Sequence, residues 1–124
     1  MTVQTTLPTQ TTAVVATPPC RADQLGLAMQ PLAPLGSGQL LIKVAAAGVN
    51  RPDIFQRRGL YPPPPGASPV LGLEVSGHLL AVADDVEQFA VGDSVCALLS
   101  GGGYAELAVA DSACVLPVPD GLPL

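Results

Sequence analysis

Between Leu40 and Gly77 the chain gathers most of the side chains it could use for chemistry. Asn50, Asp53, Arg57 and Tyr61 fall in one short polar stretch, and Lys43, Arg51 and Arg58 lie around them. Only Arg21 among the basic residues lies outside this window. An amide, a carboxylate, a guanidinium and a phenol together offer hydrogen-bond donors and acceptors to a small ligand, and form a candidate polar pocket. Other chemistries lack their residues. His78 is the single histidine, so no Ser-His-Asp set can be built. Cys20, Cys96 and Cys114 are far apart with no CxxC spacing, which argues against zinc and for three free, mostly buried thiols. No G-x-G-x-x-G follows a strand, and no Gly-Lys-Ser/Thr phosphate loop occurs. Gly101-Gly102-Gly103 is read as a hairpin turn, and Asp84-Asp85 as a solvated one.

The elements that must position the polar stretch are short. Gln39 to Ala46 reads as the clearest strand, with one face buried and Lys43 marking the other. Asn50 to Gly59 reads as a short helix. Pro52 suits its first position, with Arg51 or Asn50 as the cap. Asp53 lies in the first turn and the arginines in the last, as the helix dipole prefers. Asp53 and Arg57 are spaced for an i,i+4 pair, and Gly59 for the left-handed residue that ends the helix. Pro62 to Pro65 predicts a stiff extended loop with Tyr61 at its mouth. Further strands are predicted over Ala13–Ala16, Leu25–Met29, Glu74–Ala83, Ser94–Leu99, Tyr104–Ala110 and Ala113–Leu116. Gly72 and Gly77 are read as bends or close-approach points.

With 124 residues, 13 of them glycine and 14 proline, the chain reads as one mainly β domain with many turns, over 13–124, preceded by a disordered tail over 1–12. Eight or so strands and one or two short helices imply a partly open β-barrel. The net charge of −5 argues against nucleic acid. The Thr-rich start has neither signal nor transit character, and no apolar run is long enough for a membrane helix. A soluble, cytoplasmic protein with no membrane association is expected.

Five ordered segments then carry a resemblance. They are Val44 to Asp53, Arg58 to Tyr61, Pro69 to Gly77, Val91 to Val95 and Gly102 to Glu106. Together they resemble the N-terminal GroES-like domain of medium-chain dehydrogenases/reductases, in the zinc-free NADPH:quinone oxidoreductase branch. The resemblance implies a GroES-like partly open barrel. Two departures from the alcohol dehydrogenases in the same superfamily remove zinc ligands: Asn50 stands where they carry a cysteine, and Leu73 where they carry a histidine. Glu74 then reads as a buried or ion-paired structural carboxylate.

The resemblance implies hydride transfer from NADPH to a quinone, with Asn50 and Tyr61 lining the nicotinamide–quinone cleft as catalytic and cofactor-contacting residues. Without zinc, hydrogen-bond donors or water must meet the developing oxyanion. Asp53 and Arg57 are expected to support the helix that carries Asn50, or to contact substrate. The family continues into a Rossmann domain that binds NADPH phosphates. No such domain is found in this chain, which is therefore expected to be a fragment, inactive alone, of a protein that forms a homodimer. The alternatives are an enoyl reductase of the same superfamily, or a non-catalytic GroES-like module that binds a protein partner.

Overall fold

The computed structural model describes residues 7–124. Seven strands are arranged as a two-stranded ribbon and a five-stranded antiparallel sheet. β1 (Gln10–Val15) and β2 (Gly26–Pro31) form the ribbon. β3 (Gln39–Ala47), β4 (Glu74–Val82), β5 (Ser94–Leu98), β6 (Leu107–Asp111) and β7 (Val115–Pro117) form the sheet, in the order β6-β3-β4-β5-β7. The ribbon joins the sheet through the segment before β6: Val14 N–H donates to Tyr104 C=O at 2.8 Å and Glu106 N–H to Thr12 C=O at 3.0 Å. The result is a curled, partly open barrel, mainly β, as the strand pattern predicts.

The barrel closes on Leu40, Ile42, Val75, Leu79, Val95, Ala97, Ala108, Ala110 and Val115. Each buried Val, Leu or Ile contributes about 1.5–3 kcal/mol relative to exposure. The strict alternation expected of β3 fails at its start, where Leu40, Leu41 and Ile42 are all buried. Leu40 and Ile42 join the core cluster and Leu41 does not, so both faces of the strand are covered here. The register shift between Leu41 and Ile42 places its extra residue, Leu80, on β4. A second shift lies between Val44 and Ala46, opposite Gly77. A Cβ on Gly77 would overlap the Lys43 carbonyl, so this glycine is a close-approach point.

Several boundaries move. β1 begins at Gln10, inside the stretch read as tail; residues 1–6 lie outside the described residues. The expected hairpin between the strands at 94–99 and 104–110 does not form. β5 pairs with β4 and β7, while β6 crosses to β3. The glycines between them pack on the segment from Ser68 to Gly72 instead, with Gly102 at φ +94. The last strand starts at Val115 because Ser112–Cys114 forms a 3-10 turn. That turn exposes Cys114. Cys20 and Cys96 are half-buried, so none of the three thiols is the core residue expected of it. Among the described residues no helix is long and apolar enough to cross a membrane.

Candidate functional site

Helix α1 (Arg51–Arg57) follows β3 after a three-residue corner. Asn50 is its N-cap, in an extended conformation at φ −126 and ψ 159, so Pro52 falls at the second helical position. Gly59, at φ +77, ends it. Leu60 N–H reaches back to Phe55 C=O at 2.8 Å and Gly59 N–H to Gln56 C=O at 3.0 Å. This pair of bonds is a Schellman closure, which satisfies carbonyls that the helix end leaves open.

The buried face of α1 is polar. Asp53 and Gln56 are the buried residues of the helix, while Ile54 is partly exposed. Asp53 Oδ2 accepts the Asn50 N–H at 2.9 Å and the Tyr104 hydroxyl at 2.7 Å. Gln56 Nε2 donates to Pro69 C=O at 3.2 Å. Arg57 Nη1 donates to Cys20 C=O at 2.6 Å, and Cys20 N–H returns a bond to Arg57 C=O at 2.9 Å. Three turns of chain distant in sequence are thus fastened to one short helix by hydrogen bonds. The i,i+4 spacing of Asp53 and Arg57 does not become an ion pair, because each side chain finds a partner off the helix. Among the described residues the ion pair present is Arg21–Asp23, at the surface.

Asp53 is 3% exposed, and its second oxygen, Oδ1, is buried with no hydrogen-bond partner. A bare buried polar atom costs about 1–3 kcal/mol. Burial, then the hydrogen bond to Asp53 and the charge of its carboxylate, push the Tyr104 phenol well above the ordinary tyrosine range. Tyr104 therefore remains a donor. Its backbone is pinned on both sides, through Tyr104 N–H to Leu71 C=O at 2.8 Å and the bond from Val14 already described. Gly72, at φ +106, lets this happen: a Cβ there would meet Gly103 Cα, the Tyr104 N–H and the Tyr104 ring, each at 2.7 Å.

Of the four residues singled out in the sequence, the structure joins Asn50 directly to Asp53. Arg57 faces the Cys20 loop instead. Tyr61 is 43% exposed beyond the C-terminal end of α1. A seven-residue helix of roughly 10 Å separates it from Asn50 along the chain, and among the described residues no hydrogen bond joins the two. Exposed Val49, Ile54 and Leu60 lie along the same stretch. The stretch thus presents a half-buried amide, a phenol and uncovered apolar side chains. A hollow of about 510 Å³ is lined in part by Ala47, Gly48 and Glu74. Glu74 is exposed and its side chain covers Gly48, which corrects the buried or paired carboxylate expected of it. Tyr104 and Gln56 escaped the sequence reading. The signal for Tyr104 was its place directly after a triple glycine, where a close backbone approach fixes the ring.

Among the described residues no three of His, Cys, Asp and Glu stand together as a metal-binding group. The amide of Asn50 and the hydrocarbon of Leu73 supply no ligand that zinc prefers, so the donor set does not fit that ion.

Residues 36–120 match the alcohol dehydrogenase GroES-like domain. The chain belongs to that family, which forms the N-terminal domain of medium-chain oxidoreductases. It is 44% identical over 89 residues to the phenolphthiocerol synthesis polyketide synthase type I Pks15/1 of Mycobacterium bovis, covering 72% of this chain and 4% of the synthase. It is 40% identical over 87 residues to the quinone oxidoreductase of Mus musculus, covering 69% of this chain and 26% of that enzyme. A solved mycobacterial protein complexed with NADPH superposes with a TM-score of 0.74 at 33% identity, over 91% of this chain and 35% of that one. The chain therefore spans about a third or less of the length of each.

Proposed function

We propose that this domain forms the acceptor side of an NADPH-dependent, zinc-independent reductase that transfers hydride to a quinone. The observation that carries the reading is Asn50. It is half-buried at the N-terminal end of α1 and fixed by the buried Asp53, in a domain whose solved relative is complexed with NADPH. NADPH, when bound, supplies the hydride. Asn50 and Tyr61 hold the nicotinamide end and the acceptor ring between them.

As hydride reaches the acceptor, negative charge develops on its oxygen. The Asn50 amide donates a hydrogen bond to it, and the Tyr61 hydroxyl donates a hydrogen bond or proton. One hydride and one proton convert quinone to hydroquinone. The side chains of α1 that face inward take no part in this transfer; they hold the corner. The described residues offer no glycine-rich turn running into a helix to cradle the phosphates.

A second reading, reduction of an enoyl thioester, is supported by the match to a polyketide synthase, which is as close as that to the quinone oxidoreductase. The two readings share the hydride step and differ in the acceptor. NADPH oxidation by the protein that carries this domain, with an ortho-quinone and with a crotonyl thioester, separates them. Faster turnover of the quinone, undiminished by strong chelator, is expected. A preference for the thioester favours the second reading, and no oxidation with either acceptor overturns both. Activity lost to chelator and restored by zinc contradicts the metal-free mechanism. The 124-residue chain alone is expected to be inactive, and substantial turnover by it would contradict the assignment of phosphate binding to a further part.

A further inference from the structure

We infer that Tyr104 is a positioning residue for Asn50, acting through Asp53. The proposal rests on the reading of Asn50 as a contact of cofactor or acceptor. Tyr104 is tied to the barrel on both sides of its backbone, by Leu71 and Val14, and its ring lies against Gly72. Its hydroxyl donates to Asp53 Oδ2 at 2.7 Å, and the same oxygen takes the Asn50 N–H at 2.9 Å. One carboxylate oxygen thus transmits the position of the barrel wall to the last residue of the corner before α1.

The other inward bonds of α1 run to Cys20 and Pro69, both in loops. At the corner itself, Gly48 N–H donates to Glu74 C=O at 3.1 Å, two residues before Asn50, and Asp53 N–H donates to Asn50 C=O at 3.0 Å. The arrangement is poor as a device for stability alone. It buries a carboxylate with one oxygen bare, where an apolar pair would leave nothing unsatisfied. Its geometric output is a fixed backbone position for Asn50.

The test is amide exchange in the 15N-labelled chain, read at Asn50 and at Gly48. In Tyr104→Phe the Asn50 amide is expected to accelerate about tenfold more than the Gly48 amide, the scale of one lost hydrogen bond beyond any global change. Equal acceleration at both amides would show a merely structural bond, and an unchanged Asn50 would show no coupling; either overturns the proposal. If Tyr104→Phe does not fold, Asp53→Asn reads the same corner. The amide variant keeps one acceptor oxygen for two donors, and a larger acceleration at Asn50 than at Gly48 is again expected. In the NADPH-oxidising protein, Tyr104→Phe is expected to lower kcat/KM about tenfold. A wild type with no NADPH oxidation would sink the reading of Asn50 and leave the exchange result to decide the coupling.

Discussion

Ile42 and Asp53 are both shut away from solvent, at 0% and 3% exposure, yet opposite forces hold them. Ile42 sits in the sheet among Leu40, Leu79 and Val95, where burial is favourable in itself and partners are interchangeable. Asp53 sits under α1, where burial is unfavourable and is offset by two directional bonds to named donors. The sheet tolerates variation in shape and supplies stability. The corner tolerates little variation in geometry and supplies orientation. The role proposed for Asn50 needs both, and this domain keeps them apart.

Substitutions should break that comparison in a graded order. Ile42→Ala removes apolar volume from the centre of the sheet and is expected to cost about 3–4 kcal/mol in denaturant unfolding. Gly72→Ala comes next, at about 2–3 kcal/mol, because the residue has φ +106 and its new methyl meets Gly103 and Tyr104 at 2.7 Å. A loss below about 1 kcal/mol would mean that the 72–103 contact yields easily.

Tyr104→Phe deletes one hydrogen bond to a carboxylate and is expected to cost about 1.5–2 kcal/mol. It also has a pH signature. The folded phenol holds its proton above the ordinary value near 10, so the stability it contributes is present below about pH 10 and falls as the pH rises beyond it. Phe at 104 should flatten that alkaline fall in a pH series of unfolding midpoints. The smallest effect is expected for Asp85→Asn. Asp85 is solvent-exposed; the Ser37 hydroxyl first, and then the Gly38 N–H at 2.9 Å, hold its carboxyl below the usual range. That contribution is present above about pH 4 and fades as the pH drops through the lowered value, so the variant should differ from wild type near neutrality and converge with it in acid.

Much of this was legible in the residues. The apolar alternation of β4 and β5 and the turn chemistry around them place both strands to within a residue. Asn50, Pro52 and Gly59 bracket α1. What the pattern could not carry was pairing. Gly101 to Gly103 looked like a hairpin because adjacent strands commonly pair, and it proved to be a contact between two stretches of backbone, at Gly72 and Gly103. The inner face of α1 was hidden for a related reason. Apolar periodicity reveals a helix that buries hydrocarbon, whereas Asp53, Gln56 and Arg57 bury hydrogen bonds, whose partners at 104, 69 and 20 are distant in sequence. Asn50 stood out through the resemblance, whereas the bond from Tyr104 to Asp53 came only from the fold.

The most direct test of the division between sheet and corner is Asn50→Ser in the NADPH-oxidising protein. Serine caps a helix about as well as asparagine but lacks the carboxamide. The predicted result is a fall in kcat/KM of roughly a hundredfold, the scale of one lost oxyanion donor, with an unfolding midpoint close to wild type. Unchanged kcat/KM, or a loss that follows a lowered midpoint, would contradict a chemical role for Asn50 and leave the corner as scaffold alone.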